Sequence, residues 1–509
     1  MSGAHGVLAS VHAIALVGLQ ARPVRVECAT SSGLPGLRLV GLPDAAVREA
    51  SDRVRTAILR QGFAWPQERI VVNLAPADLP KVGTGFDLPI ALAVLVARRQ
   101  VPPDRVDGVW AIGELGLDGS VRPVPGVLPA AAGARGAGAR RLLVGEAAAP
   151  EAALVDGLEV VPVRDLVEVA GVLSGERPAR AASPAPVAAG VDALDLADVR
   201  GQAVARRAVE IAAAGGHHLL LAGPPGCGKT MLARRLHGLL PPLDLDGALE
   251  VAAIHSLAGE RAPDAPLSLT PPLREPHHSV SGAGLVGGGS GVPRPGELAL
   301  AHRGVLLMDE LLETPRWVLD ALRQPLERGE ITITRARARV RYPSRVLLVA
   351  ATNPCPCGYL GSVSRACSCR PDRIERYRAR LSGPLLDRLD LQVELRPVDR
   401  DRLAGPPDGE PTSVVAPRVR AARERAASRW GPGLLTRDAP QEAVRRTCRP
   451  AALRGLAAAV ELLGLSARAF DRSLRVARTV ADLAGDEDVD TAHVDEAVAY
   501  RLPDPVAVP

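Results

Sequence analysis

The chain has 509 residues, 47% of them apolar, too long for one core and apolar enough to supply cores to roughly two to four domains. No stretch reaches the ~18 uninterrupted apolar residues of a membrane helix, and the apolar start VLASVHAIALVGLQ lacks a basic flank, so neither a spanning segment nor a secretory leader is expected and the reading is a soluble, cytoplasmic protein with no membrane partner. The net charge of +5 is modest, but among 62 basic residues only Lys81 and Lys229 are lysines; the arginine bias permits nucleic-acid binding without demonstrating it, while aromatics at 2% leave no base-stacking platform of the single-strand-binding kind.

Residues 1–175 contain VVNLAPADLPKVGTGFDLPIALAVL and GELGLDGSVRPVPGVLPAAAGARGAGARRLLV. These segments follow the landmarks of the Lon protease domain, and the region resembles that α+β fold. A serine-lysine peptidase needs a hydroxyl nucleophile and a lysine base of lowered pKa. Where the resemblance puts the serine, GTGFD has Gly85; where it puts the lysine, GVLPA has Ala130; Lys81 lies in another motif. The resemblance therefore implies a non-proteolytic domain for ring building or recruitment.

ERPARAASPAPVAAG (176–190) is Pro/Ala-rich and AGPPDGEPTS, which opens a 404–415 segment, is Pro/Gly-rich. Neither has apolar periodicity, so both read as linkers. They bound a central region, 191–403, and a tail, 416–509, in which ALRGLAAAVELLGL and SLRVARTVADLAG carry apolar residues at helical spacing. The expected architecture is multidomain α/β: an N-terminal α+β domain, a central P-loop α/β domain with a parallel sheet, and a C-terminal helical lid.

In the central region HHLLLAGPPGCGKTMLARRL runs from an apolar strand through a glycine-rich loop into a helix, the context required of G-x-x-x-x-G-K-[ST]. Gly223, Pro224, Pro225, Gly226, Cys227 and Gly228 form the loop, whose N–H groups would close around phosphate oxygens. Lys229 adds a point charge toward the outer phosphates, Thr230 offers a hydroxyl to Mg²⁺, and Cys227 is simply a small residue. Further on, GVLLMDE is a buried strand ending in two acids: Asp309 suits the Mg²⁺ shell and Glu310 suits orienting and polarising water, a pairing that implies hydrolysis of the nucleotide. A third strand, RVLLVAATNP, ends in Asn353, whose amide can sense the γ-phosphate or the water. ATP and Mg²⁺ are the expected cofactors.

With these stand REPHHSVSGAGLVGGGSGVPRPGELALAHRGVLLMDE, NPCPCGY, SGPLLDRLDLQVE and GLSARAFDRSLRVARTVADL. Together they make the chain resemble the magnesium-chelatase-like AAA+ ATPases of the ComM/YifB type over nearly its whole length. The resemblance implies a homo-hexameric ring with ATP at subunit interfaces. It implies further that Arg388 in LLDRLD is the arginine finger, worth orders of magnitude in rate, and that Arg468 in GLSAR is the second sensor from the lid, with Arg475 as the alternative. Leu312 and Thr314 in DELLETP stand where the family has Pro and Phe, which touches the turn after the acids and not the acids themselves.

GEITITRARARVRYP alternates strictly, so Arg335, Arg337, Arg339 and Arg341 are expected on one face of an extended ribbon. Related machines have a channel-facing hairpin at this place, and arginines on it would grip phosphates without reading sequence; a solvated polar face is the plainer alternative. GLVGGGSGVPRPGE (284–297) resembles the family's glycine-rich insert near the channel, and the neighbouring His277 and His278 are read as structural. The function this implies is a DNA motor for branch migration or helicase-like remodelling, with recombination or DNA-uptake proteins as partners. The alternatives are a magnesium chelatase motor subunit, disfavoured by the extra N-terminal domain and the lack of a D-x-S-x-S motif, and a non-hydrolysing ATP-binding scaffold, disfavoured by the acidic pair, Asn353 and Arg388.

Four of the seven cysteines, Cys355, Cys357, Cys367 and Cys369, fall in NPCPCGYLGSVSRACSC with spacing C-x-C-x₉-C-x-C. An odd total and a reducing compartment argue against a disulfide framework. Four thiolates are the number a closed tetrahedral Zn²⁺ site requires, but tight C-x-C pairs depart from the usual C-x₂-C knuckle, so reduced cysteines without metal remain the alternative.

Overall fold

The computed structural model describes residues 8–188, 190, 194–289, 291–335, 338–362, 365–399, 402 and 404–501. The N-terminal region is built on a seven-stranded mixed sheet in the order Gly36–Val40, Arg69–Ala75, Gln20–Ser31, Ala9–Val17, Val109–Ile112, Arg141–Gly145, Glu159–Val163. Ala9–Val17 and Gln20–Ser31 form an antiparallel hairpin, closed by a two-residue turn with Gly18 at φ +63°, a backbone state that glycine adopts without strain. The helix Asp87–Ala97, DLPIALAVLVA, is buried on every side, as its continuous apolar sequence dictates. Its Asp87 is buried too, and Arg53 Nε at 2.7 Å, Arg53 Nη2 at 2.9 Å and the Leu115 N–H at 3.2 Å satisfy the carboxylate.

The central region contains a five-stranded parallel sheet in the order Leu273–Arg274, Val305–Met308, Leu347–Thr352, Leu219–Ala222, Leu391–Glu394. The three inner strands, VLLM, LLVAAT and LLLA, are near-continuous apolar runs, buried at every position, because both faces are covered. Leu219 and Leu221 pack on one side with the helices Ala203–Gly215 and Lys229–His237. Leu220 faces the other side, with Leu298, Leu311, Leu319 and the hairpin residues Ile331 and Ile333. The C-terminal region is helical, with Thr412–Trp430, Pro450–Leu462, Ala467–Ala484 and Thr491–Ala499 as its main helices, and Val419, Ala422, Leu474, Ala477 and Ala481 join the first of those two cores. No helix among the described residues is long and apolar enough to cross a membrane.

A buried carboxylate ties the helical region to the sheet. Asp390 is 2% exposed; it accepts the His218 N–H at 3.0 Å and Arg472 Nη1 at 2.5 Å. Burial alone would raise its pKa, but Arg472, His217 and His218 outweigh burial and hold the carboxyl well below the usual range.

The two segments read as linkers are anchored. Ala182 N–H donates to Val160 O at 2.9 Å, Ala185 N–H to Pro150 O at 2.9 Å, and Val187–Ala188 pairs with Leu267–Ser268. In the second, Asp408 accepts the Gly201 N–H at 2.9 Å and pairs with Arg206. A segment without side-chain periodicity still carries backbone donors that a neighbouring edge can satisfy. The N-terminal region also meets the centre: Leu128 packs with Ala248 and Ala252, and Gly126 N–H donates to Ser256 O at 2.9 Å.

His302 gives the fold a defined acid sensitivity. Its Nδ1 accepts the Arg345 N–H at 3.1 Å and its Nε2 meets Glu250 Oε2 at 3.2 Å, so the ring must stay neutral at Nδ1. Burial is the main cause that pushes its pKa from 6.5 down to about 4. The folded pKa lies below the unfolded one, so this stability is complete above about pH 6.5 and is lost as pH falls toward 4. The unfolding free energy from urea titrations should therefore rise with pH across that window, and His302→Gln should flatten the rise by at most about 1.4 kcal/mol per pH unit; an unchanged slope would count against the assignment.

Candidate functional site

The parallel sheet brings three strand ends together. Leu219–Ala222 leads into the loop 223–228 and then into the helix Lys229–His237, with Gly226 at φ +78° and Gly228 at φ +93°. A side chain at position 223 would lie 2.5 Å from Leu395 O, so only glycine lets the loop turn there. Cys227 is buried and burial raises its thiol pKa, which keeps it neutral and leaves it a packing residue.

Lys229 Nζ donates to Gly223 O at 2.7 Å, to Pro224 O at 2.9 Å and to Asn353 Oδ1 at 3.1 Å. Burial lowers its pKa, opposed by Cys227, Asp309 and Glu310. Thr230 Oγ1 donates to Asp309 Oδ2 at 2.7 Å, while Asp309 Oδ1 accepts the Glu310 N–H at 2.9 Å. Lys229, Thr230, Asp309, Glu310 and Asn353 thus converge although they are drawn from three separate strands. The hydroxyl and carboxylate oxygens of Thr230 and Asp309 are the hard donors that Mg²⁺ takes, usually with retained waters and substrate phosphates, and the loop amides and Lys229 suit phosphate. The donor set fits a Mg²⁺–nucleotide.

Glu310 sits at φ +49°, a left-handed state that costs a non-glycine residue about 1 kcal/mol or more. Its carboxylate lies 3.0 Å from His278 Nδ1, and His277 stacks near His278 at 4.0 Å between ring centroids. The structural reading of the histidine pair did not anticipate this contact, because the two residues are remote from the acidic pair in sequence. Leu312 and Thr314 are both buried in the turn behind the acids, and the chain resumes as a helix at Arg316.

Beside the loop lies a cavity of about 460 Å³. Its other walls are Asp198, Val199, Arg200, Gln202, Met231, Tyr359, Ser362, Pro397 and Val398. Gln202, at φ +54°, clamps two of these walls, donating to Cys227 O at 3.2 Å and to Arg396 O at 2.7 Å. Sequence reasoning missed Gln202 and Tyr359; a Gly-Gln pair before a helix and a lone tyrosine after a strand tip carry little linear signal.

Arg388, Arg468 and Arg475 do not line this cavity. Arg388 pairs with Glu327 and donates to Pro384 O at 2.6 Å. Arg388 and the more distant charge of Arg468 both lower the pKa of Glu327, the Arg388 hydrogen bond most. Arg475 donates to Ala439 O at 3.1 Å and lines a different cleft of about 1020 Å³ between the sheet and the C-terminal helices.

The arginine ribbon needs a correction. Glu330–Arg335 and Ala338–Pro343 form an antiparallel hairpin in which Thr334 opposes Arg339, Thr332 opposes Arg341 and Arg335 opposes Ala338. Directly opposed residues share a face, so the register decides which residues face together. Arg339 and Arg341 therefore share an exposed face with Thr332 and Thr334, whereas Arg335 belongs to the opposite face, that of Ile331 and Ile333. Arg337 lies outside the described residues. The glycine-rich segment braces the hairpin: Gly287–Gly288 pairs with Arg294–Pro295, and Tyr342 Oη donates to Pro293 O at 2.5 Å.

The fourth cluster is sulfur. The Sγ atoms of Cys355, Cys357, Cys367 and Cys369 all lie within 4.8 Å of one another.

A phosphate loop, an acidic pair and a polar strand tip, on a parallel sheet whose loop strand lies between the sensor strand and an edge strand, define a P-loop core of the AAA+ type. Family comparison agrees: residues 195–403 match "Magnesium chelatase, subunit ChlI", 26–148 match "Subunit ChlI of Mg-chelatase", and 409–501 match "Magnesium chelatase, subunit ChlI C-terminal". The chain is 47% identical over 498 residues to an uncharacterised protein of Mycobacterium tuberculosis, covering 97% of this chain and 98% of that one. It is 44% identical over 503 residues to YifB of Escherichia coli (98% and 97%) and 43% identical over 503 residues to competence protein ComM of Haemophilus influenzae (97% and 97%). The chain belongs to the family of the YifB and ComM proteins.

Two substitutions separate binding from chemistry at this site. Lys229→Ala should abolish measurable ATP binding in calorimetry. Glu310→Gln should retain binding while hydrolysis falls by roughly 10²–10⁴, the range typical of losing a general base; a Glu310→Gln protein that hydrolyses ATP at the parental rate would remove Glu310 from the chemistry.

Proposed function

We propose that this protein is an ATP-hydrolysing ring motor that remodels DNA, as in branch migration. The observation that carries the motor reading is the pair of contacts Lys229–Asn353 and Thr230–Asp309, which sets a phosphate-binding charge, a Mg²⁺-binding oxygen pair and a γ-phosphate sensor around one point. Bound with the nucleotide, Mg²⁺ supplies charge neutralisation across the phosphate oxygens. The protein does the rest. Loop amides and Lys229 hold the phosphates, Glu310 accepts a proton from water, and His278 fixes the Glu310 carboxylate against its strained backbone. The sequence-derived regions 1–175, 191–403 and 416–509 serve as N-terminal, motor and lid domains of one subunit.

Neither Arg388 nor Arg468 lines the chain's own phosphate-loop cavity, which leaves them for the site of a neighbouring subunit in a homo-hexamer; Arg388, buried against Glu327 in the isolated chain, would have to release that carboxylate to reach it. The N-terminal region is read as a Lon-like domain without peptidase activity. A side chain at position 85 would meet Ile112 and Val124, and Ala130 is buried in the same apolar cluster as Ile112, so both positions face hydrocarbon and not a catalytic dyad.

The DNA-directed part rests on Arg339 and Arg341, exposed side by side on a braced hairpin, and on the name of the ComM relative, a competence protein. Phosphate contacts from two arginines would raise affinity without sequence preference. Replacing both with Ala should weaken binding to forked DNA, reduce the slope of log K against log salt by about 2 and remove DNA stimulation of hydrolysis, with basal hydrolysis retained. Unchanged binding and stimulation would sink the DNA reading. His278→Ala should lower the hydrolysis rate at constant ATP affinity; a change in affinity alone would move His278 out of the chemical step.

A further inference from the structure

The four-cysteine cluster and the nucleotide cavity are parts of one loop. Cys355 and Cys357 Sγ are 3.4 Å apart, Cys355 and Cys367 3.7 Å, and Cys357 and Cys367 3.5 Å, with Cys369 within the same 4.8 Å set. A disulfide would need about 2.05 Å, and all four are free thiols. A tetrahedral Zn²⁺ with bonds of about 2.3 Å puts its sulfurs roughly 3.8 Å apart, close to what is seen. The cluster contains neither carboxylate nor imidazole, and a soft all-thiolate set selects zinc over the hard cations. A backbone donor supports one of the sulfurs: Cys369 N–H reaches Cys367 Sγ at 3.4 Å, the kind of outer contact that accompanies metal ligands.

The loop so closed presses on the phosphate loop. Gly358, at φ +83°, lies where a side chain would come within 2.7 Å of Pro225 Cγ and Cδ. The next residue, Tyr359, lines the cavity beside residues 224–228, and the Arg365 guanidinium sits 4.7 Å from its ring centroid. Ser362 N–H donates to Tyr359 O at 3.1 Å. On the other flank, Asn353, two residues before Cys355, contacts Lys229.

We propose that Cys355, Cys357, Cys367 and Cys369 bind one Zn²⁺ in a closed, structural site, and that this clasp holds Tyr359 in place as an aromatic wall for the nucleoside part of the nucleotide. The second half rests on reading the cavity as the nucleotide site. All four positions are occupied by protein sulfur, so the metal has no role in the reaction and acts through position alone.

The test uses the full-length protein purified without chelator. Metal analysis should find one zinc per chain, and Co²⁺ exchanged into the site should give the absorption of a tetrathiolate. Calorimetry with Mg²⁺–ATP should show affinity falling roughly tenfold in Tyr359→Ala, as for loss of an aromatic stacking face, with its zinc retained. Cys367→Ser with Cys369→Ser should lose the zinc and the same affinity, and adding Zn²⁺ back to chelator-stripped parental protein should restore it. If the double serine variant does not fold, Tyr359→Ala, which keeps all four ligands, still decides the pocket half. Protein without zinc, or with disulfides in place of thiolates, overturns the metal site. Tyr359→Ala and stripped protein that bind ATP within twofold of the parent overturn the link. A Lys229→Ala protein that binds ATP normally would instead overturn the nucleotide-site reading, leaving the zinc result to stand or fall on metal content.

Discussion

The strand Leu347–Thr352 lies between Leu219–Ala222 and Val305–Met308, and the rest of the site depends on that insertion. Parallel strands end on the same edge, so the middle strand must deliver its terminal residue between the phosphate loop and the acidic pair. Asn353 consequently meets Lys229 on one side, while Thr230 reaches across to Asp309. A side-chain lysine, a hydroxyl, two acids and an amide are fixed relative to one another by the ladder hydrogen bonds of a buried sheet, and no flexible loop has to find the geometry anew. The left-handed Glu310 is tolerated because that sheet and the buried Leu311–Leu312 behind it determine its position.

The opposite end of the same strands organises the other arginines. Asp390 begins the edge strand and bonds the His218 amide at the start of the loop strand. Arg472 spans from Asp390 to Arg388 O, the latter at 2.8 Å, which links the long helix Ala467–Ala484 to the residue read as the finger. A shift of that helix would therefore move Arg388 and the base of the phosphate-loop strand together. In the ring proposed above, that linkage would couple the lid helix to the arginine offered to the neighbouring site. It has two parts: a buried ion pair with a large cost of rupture, and a sheet edge.

What the sequence made legible was local. The loop motif, the D-E pair and the Asn at a strand tip each lie within a few residues of an apolar run, so strand, turn and chemistry are read together, and the parallel sheet and the helical tail followed from the same runs. Failures arose where three-dimensional pairing decides. Alternation was read as one continuous ribbon, whereas the antiparallel register sets Arg339 and Arg341 opposite Thr334 and Thr332, so Arg335 parted from them. The anchoring of the linkers was not legible either, because backbone atoms hold the first and the Asp408 carboxylate the second, and composition reports neither. His278 and Gln202 became visible only when the fold set them beside Glu310 and the phosphate loop. The cysteine spacing left metal and bare thiols open, and only the sulfur positions favour the first.

The central claim is that hydrolysis takes place at sites shared between subunits, with Glu310 from one chain and Arg388 from its neighbour. The most direct measurement is the ATPase rate of co-expressed, co-purified mixed assemblies of Glu310→Gln and Arg388→Ala chains, beside each variant expressed alone, which should hydrolyse ATP far below the parental rate. A substantial fraction of parental activity should reappear, because interfaces form in which an intact Glu310 faces an intact Arg388. Mixed assemblies that bind ATP and remain inactive would contradict the account.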